Sequence, residues 1–178
     1  MSGPEAGAEA GPEAGPEAGP EADARAGLRT TVLAVGNTIM ADDGIGPALL
    51  EALRQARPIA GVDYVDGGIG GMDLLPIVED ADRLLILDAV AGSEPGQVVR
   101  LDGDQLPRLL AAKLSPHQVG LLDVFGAARL LKREPREIVV VGIVPATVEL
   151  AVGLTDVVRA ALPRAAALAA AVLDAWEV

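Results

Sequence analysis

The 178-residue sequence has no cysteine, a single histidine (His117), and one each of tryptophan, tyrosine and phenylalanine. The lack of cysteine excludes a disulfide framework, a thiolate metal site and a cysteine nucleophile. With aromatics at 2% and apolar residues at 51%, the core has to be built from Val, Leu, Ile and Ala. One histidine rules out the His-Glu-x-x-His zinc motif. A serine triad would have to use that same His117, and Ser115 is too close in sequence to be an evident partner. The Asp-Thr-Gly signature of pepsin-like proteases is missing too. No apolar run reaches the ~18 to 20 residues that span a bilayer. The alanine-rich end, Ala160 to Ala175, is interrupted by Pro163, Arg164 and Asp174. No basic segment followed by an apolar stretch opens the chain, so a secretory signal is not expected. The expectation is a soluble cytoplasmic protein.

Cations are scarce as well. Lys and Arg number 14 against 26 Asp and Glu, a net charge of −12. Residues 1–30 hold six acids against two arginines, a net −4, which leaves −8 for the remainder. Neither a nucleic-acid backbone nor an anionic membrane surface suits such a chain, since both need a basic patch.

What is present begins with a repeat. Residues 3–22 run as Gly-Pro/Ala-Glu-Ala with a period of four. Recurrent proline stops helices, and the segment has almost nothing large to bury, so residues 1–28 read as a disordered tail. Residues 29–178 read as one α/β domain. Thr31 to Val35, Val62 to Val65, Arg83 to Leu87, Gln97 to Leu101 and Glu137 to Val144 have strand character, and the continuous apolar runs suit strands buried on both faces. Helices are expected over Gly44 to Arg57, over Gly71 to Asp80 with a distortion at Pro76, from about Gln105, over Val119 to Lys132, and over Thr155 to Trp176 with a break or bend at Pro163. Strands alternating with helices predict a mostly parallel, twisted five-stranded sheet covered on both faces.

In such a sheet, ligands bind beyond the carboxyl ends of the strands. Asp42 and Asp43, Asp66 and Asp88 all follow strands at that edge, and His117 lies in a Ser-Pro-His-Gln connection able to reach it. Clustered carboxylates destabilise a fold unless a cation joins them. Carboxylates with one imidazole suit a divalent ion such as zinc, nickel or cobalt. Each residue also has a structural reading. Asp42 and Asp43 can serve the turn or cap a helix, Asp66 can serve the Asp-Gly-Gly turn, Asp88 can start a loop, and His117 can be a structural hydrogen-bonder. One acid of the Asp42-Asp43 pair can face a site while the other serves the turn, and the sequence leaves open which. The first strand is followed by no Gly-x-Gly-x-x-Gly, and the chain has no Gly-Lys-Ser/Thr phosphate loop.

The segments VLAVGNTIMADDGIGPALLEAL, VDGGIGGMDLL, LLILDAVAGSEPGQVVRL, KLSPHQVGLLDVFGAARLL and IVVVGIVPATVELAVGLT occur in this order. Over about residues 30–175 the chain resembles the hydrogenase maturation proteases, endopeptidases that process the large subunit of [NiFe] hydrogenases. The resemblance implies an α/β fold and a metal-contacting, catalytic triad of Asp43, Asp88 and His117. Asp43 stands where the family commonly has glutamate, one methylene longer. Asp66, Asp42 and Asn37 fall in supporting positions. The implied partner is the large-subunit precursor, and the implied metal is nickel that the precursor itself supplies. The implied reaction removes a C-terminal extension. A non-catalytic nickel carrier using the same ligands is the competing reading, and a small-molecule-binding domain is a third.

Overall fold

The computed structural model describes residues 27–56, 58–105, 116–176 and 178, without the side chains of residues 104 and 116–119. Most of the expected tail and the body of the helix expected from about Gln105 lie outside the described residues.

Five strands form one sheet: β1 (Thr30–Ala34), β2 (Val62–Asp66), β3 (Arg83–Ala89), β4 (Val98–Asp102) and β5 (Glu137–Ile143). Their spatial order is β2-β1-β3-β5-β4. All neighbours are parallel except β4, which runs antiparallel to β5 at an edge. Four α-helices accompany them among the described residues: α1 (Ile45–Ala56), α2 (Leu75–Asp80), α3 (Pro116–Leu130) and α4 (Asp156–Ala175). The predicted α/β architecture is therefore the observed one.

The period-2 alternation of each strand divides the core into two layers. Val32, Ala34, Leu85, Leu87, Val139 and Val141 pack with α1 and α4. Their sequence neighbours Leu33, Leu84, Ile86, Ile138 and Val140 pack with α2 and α3 on the opposite face. All five residues of β1 and all seven of β3 are buried, as continuous apolar runs require. Edge strand β2 is buried only at Val62.

Three elements depart from expectation. The segment 71–80 opens as a 3-10 turn (Gly71–Leu74), and its α-helical part begins just before Pro76. A proline in the first helical turn has no intrahelical bond to lose, so Pro76 starts that helix rather than distorting it. For the same reason α3 starts at Pro116, three residues earlier than expected, and residue 117 lies in its first turn instead of in the preceding loop. Helix α4 runs unbroken through Pro163. Pro163 is exposed, and the carbonyl of residue 159, which its missing N–H leaves unbonded, can turn to water or to a neighbouring donor. Pro163→Ala restores that bond and should stabilise the chain by about 1 kcal/mol, less the loss of rigidity in the unfolded chain. Calorimetry should show a rise of a few degrees in Tm. A fall would mean that packing of α4 depends on the proline.

Candidate functional site

The chain leaves β1 toward α1 on one face and β2 on one flank. It then returns through α2 on the other face to β3, on the other side of β1. The sheet therefore changes winding direction between β1 and β3, and a crevice opens there beyond the carboxyl ends of the strands. Both edges of this crevice carry acids. The β1 loop leads into a 3-10 turn, Ala41–Gly44, which contains Asp42 and Asp43 and contacts β3. The carboxyl end of strand β3 carries Asp88, paired in register with Gly142 of β5. Asp42 and Asp88 are fully buried, and Asp43 is 2% exposed.

Asp42 is the structural member of the pair. Its Oδ2 accepts hydrogen bonds from the N–H groups of Ala146 (2.9 Å) and Thr147 (3.3 Å) and from the Thr155 hydroxyl (2.9 Å). Its Oδ1 accepts from the Thr155 N–H at 2.7 Å. Thr155 is the N-cap of α4, yet its hydroxyl serves Asp42 and not the helix. One carboxylate thus staples the β1 loop to the 144–155 loop. Backbone bonds reinforce the seam: Ala41 N–H donates to Ala151 (2.7 Å), and Ala151 N–H donates to Ile39 (3.2 Å). Ala41 holds a left-handed φ of +49° in the middle of this arrangement.

Asp43 is placed differently. It lies inside the 3-10 turn and does not cap a helix at Gly44, and its backbone is fixed at both ends. Its N–H donates to the Met40 carbonyl, and its carbonyl accepts from the Asn37 N–H, each at 3.1 Å. Asn37 shapes the loop start, its Oδ1 accepting from Ile39 N–H at 3.2 Å. A Cβ on Gly46 would collide with the carbonyl oxygens of Val35 and Leu87, so glycine lets the start of α1 sit directly on β1 and β3. The acid pair is thereby drawn down against the strand ends.

Asp88 follows Leu84 and Ile86 in the alternation and so belongs to the α2/α3 face. Its Oδ1 accepts from the Ala89 N–H at 2.7 Å. Helix α3 lies on that face and begins at the same edge. A Cβ on Gly120 would come within 3.0 Å of Gly71 Cα, in the loop that follows β2. The backbone thus puts the start of α3, which includes residue 117, beside the loop after β2, and the His117 side chain lies outside the described residues. Among the described residues no three His, Asp or Glu side chains group as metal ligands. Asp66 is exposed, and its Oδ1 accepts from Gly68 N–H at 3.1 Å, so it serves the turn. That turn is tied to the crevice by Gly36 N–H donating to Gly68 O at 2.9 Å.

Thr155, Ala146 and Thr147, which hold Asp42, carry no sequence motif that marks them. The one local sign was the apolar stretch 150–154 between a strand and a helix, in a loop with few turn residues.

The switch-point crevice of this doubly wound sheet is bordered by buried acids, and no glycine-rich phosphate loop follows β1. Comparison with known proteins is more specific. Residues 47–172 match the family model for hydrogenase maturation protease. The hydrogenase 2 maturation protease of Escherichia coli K12 is 38% identical over 136 residues, 75% of this chain and 83% of that protein. The hydrogenase expression/formation protein HupD of Bradyrhizobium diazoefficiens is 38% identical over 154 residues, 84% and 80% of the two chains. The solved structure of the hydrogenase maturating endopeptidase HybD from E. coli superposes with a TM-score of 0.77 at 38% identity, covering 83% of this chain and 93% of that one. The chain belongs to the hydrogenase maturation protease family. No helix among the described residues is long and apolar enough to cross a membrane.

Proposed function

We propose that this chain is an endopeptidase that removes a C-terminal extension from the large-subunit precursor of a [NiFe] hydrogenase, acting in the cytoplasm after nickel has been inserted. The observation that carries the reading is the pair of buried carboxylates, Asp43 and Asp88, on either side of the switch-point crevice. Family membership and the relatives named as maturation proteases and endopeptidases give the reaction class. Two carboxylates with an imidazole form a hard-to-borderline donor set that fits a divalent nickel ion. Nickel arrives as part of the substrate, met by Asp43, Asp88 and His117, and supplies Lewis acidity or the mark by which a loaded precursor is recognised.

The chain's own residues do the rest. One carboxylate takes a proton from the attacking water, whose oxygen bonds to the scissile carbonyl carbon. The C–N bond then breaks, and the proton passes to the leaving amine. The Asp42 staple holds Asp43 in place throughout, so the acid needs no reorganisation when substrate binds.

Nickel-loaded precursor incubated with the full-length protein should separate into the mature subunit and one discrete peptide, both visible by mass spectrometry. Precursor stripped of nickel should stay intact. A loaded precursor that keeps its full mass with stoichiometric, folded protein would leave a non-catalytic nickel-binding protein as the reading.

A further inference from the structure

The loops at the carboxyl edge of the sheet share two properties. The first is exposed aliphatic surface. Ile39 is 54% exposed, Leu150 79% and Val152 88%, with Ile69 and Met72 exposed on the adjoining loop. These side chains belong to segments held side by side. Met40 and Ala151 form a parallel bridge, and Gly36 N–H ties the 67–70 turn to the same place. Isolated exposed aliphatics are ordinary, but several on loops cross-linked through buried hydrogen bonds mark an interaction surface. The Asp42 carboxylate makes that surface rigid before anything binds.

The second property is charge. Segments 35–44, 67–74, 90–97 and 144–155 contain Asp42, Asp43, Asp73, Glu94 and Glu149 and no Lys or Arg at all. At the opposite end of the sheet the arginines are paired with acids, Arg29 with Asp63 and Asp80 and Arg136 with Asp82. Two arginines of α4 reach the crevice-end loops, Arg159 donating to the Leu154 carbonyl and Arg164 to that of Gly96. Arg159 is paired with Asp156, so the exposed Asp73, Glu94 and Glu149 leave the crevice end apolar and anionic, which favours cationic partners.

We propose that this rim is the docking surface for the precursor polypeptide, and that the precursor meets it with aliphatic side chains flanked by Lys or Arg. The inference rests on the peptidase reading, because the loop bearing Ile39 also bears Asp43, so a chain seated there runs past the acids. A second copy of this protein would set one anionic rim against another. The chain's own residues 1–26 carry six acids against one arginine and no large aliphatic side chain except Met1, so they match the rim in neither charge nor apolar content.

The test uses the full-length protein and nickel-loaded precursor. Leu150→Ser with Val152→Ser should raise KM about tenfold, with the loss in KM and not kcat, and with Tm unchanged because both side chains are largely in water. Glu149→Lys should raise KM several-fold. In wild type, moving from 50 to 500 mM salt should lower kcat/KM at least about threefold, and the Glu149→Lys variant should respond less. In parallel, direct titration of nickel-free precursor, which stays intact, into wild type and the rim variants reads docking apart from cleavage. KM and Kd within twofold of wild type in the rim variants overturn the proposal. Wild type that binds precursor but leaves the nickel-loaded form whole sinks the peptidase reading alone, and the docking surface then stands if the rim variants weaken binding about tenfold. Wild type that neither binds nor cuts overturns both. A dimer that the Leu150/Val152 variant dissociates in sedimentation overturns the proposal in favour of self-association.

Discussion

Replacing Asp42 with alanine is expected to destabilise the protein by about 3–5 kcal/mol. The carboxylate is fully buried and accepts four hydrogen bonds, three from backbone N–H groups and one from a hydroxyl. Hydrogen bonds to a charged group contribute about 1.5–3 kcal/mol each, though not additively. Removing the acceptor strands four donors in a space where only a trapped water could serve them. Against a typical total stability of about 5–15 kcal/mol, this is a large fraction. Tm should fall by roughly 10 °C for a chain of this size. Asp42→Asn should fall between wild type and alanine. Both Asp42 oxygens accept, so an amide must turn its NH2 toward at least one donor. Urea titration and thermal melts of the three proteins check the order. Two variants melting within 2 °C of wild type would show that the staple does not hold the loops.

That expectation also marks where the sequence stopped being legible. The strands were readable because a buried parallel strand needs an apolar run, and Thr31 to Val35 and Arg83 to Leu87 are such runs. The existence of an acid-bearing rim was readable because acids follow the ends of three strands, those two and Val62 to Val65. The division of labour between Asp42 and Asp43 was not, since the groups that bind Asp42 lie 104 to 113 positions away and no local pattern points to them. The strand order was hidden for a similar reason. The landing of β3 beside β1 depends on which face α2 covers, and that is a packing outcome. Local preference treats Pro163 as a breaker, but an exposed proline costs a packed helix only one bond, and burial of Val158, Ala161, Ala165 and Ala169 outweighs it. Residue 117 falls in the first turn of α3 and not in the connection before it, because proline fits the first helical position.

Asp88→Asn should behave in the opposite way to the Asp42 variants. Asparagine keeps the shape, and its carbonyl can accept the Ala89 N–H as Asp88 Oδ1 does at 2.7 Å. Tm should therefore fall by much less than in the Asp42 variants. Catalysis should not survive in proportion. A group that accepts a proton from attacking water is worth about 10² to 10⁴ in rate, and the amide neither accepts that proton nor balances the charge of a nickel-bearing substrate. Single-turnover cleavage of nickel-loaded precursor should therefore slow by about a thousandfold, and Asp43→Asn and His117→Ala should fall in the same range. If the three act as one unit, the Asp43/Asp88 double variant should be little worse than either single variant, because most of the rate is already lost with the first. A structural carboxylate predicts the reverse pairing, with a large loss of Tm and activity falling only as far as folded protein is lost. Asp88→Asn cleaving within threefold of wild type would remove Asp88 from the chemistry and with it the reason for placing the reaction in the β1/β3 crevice.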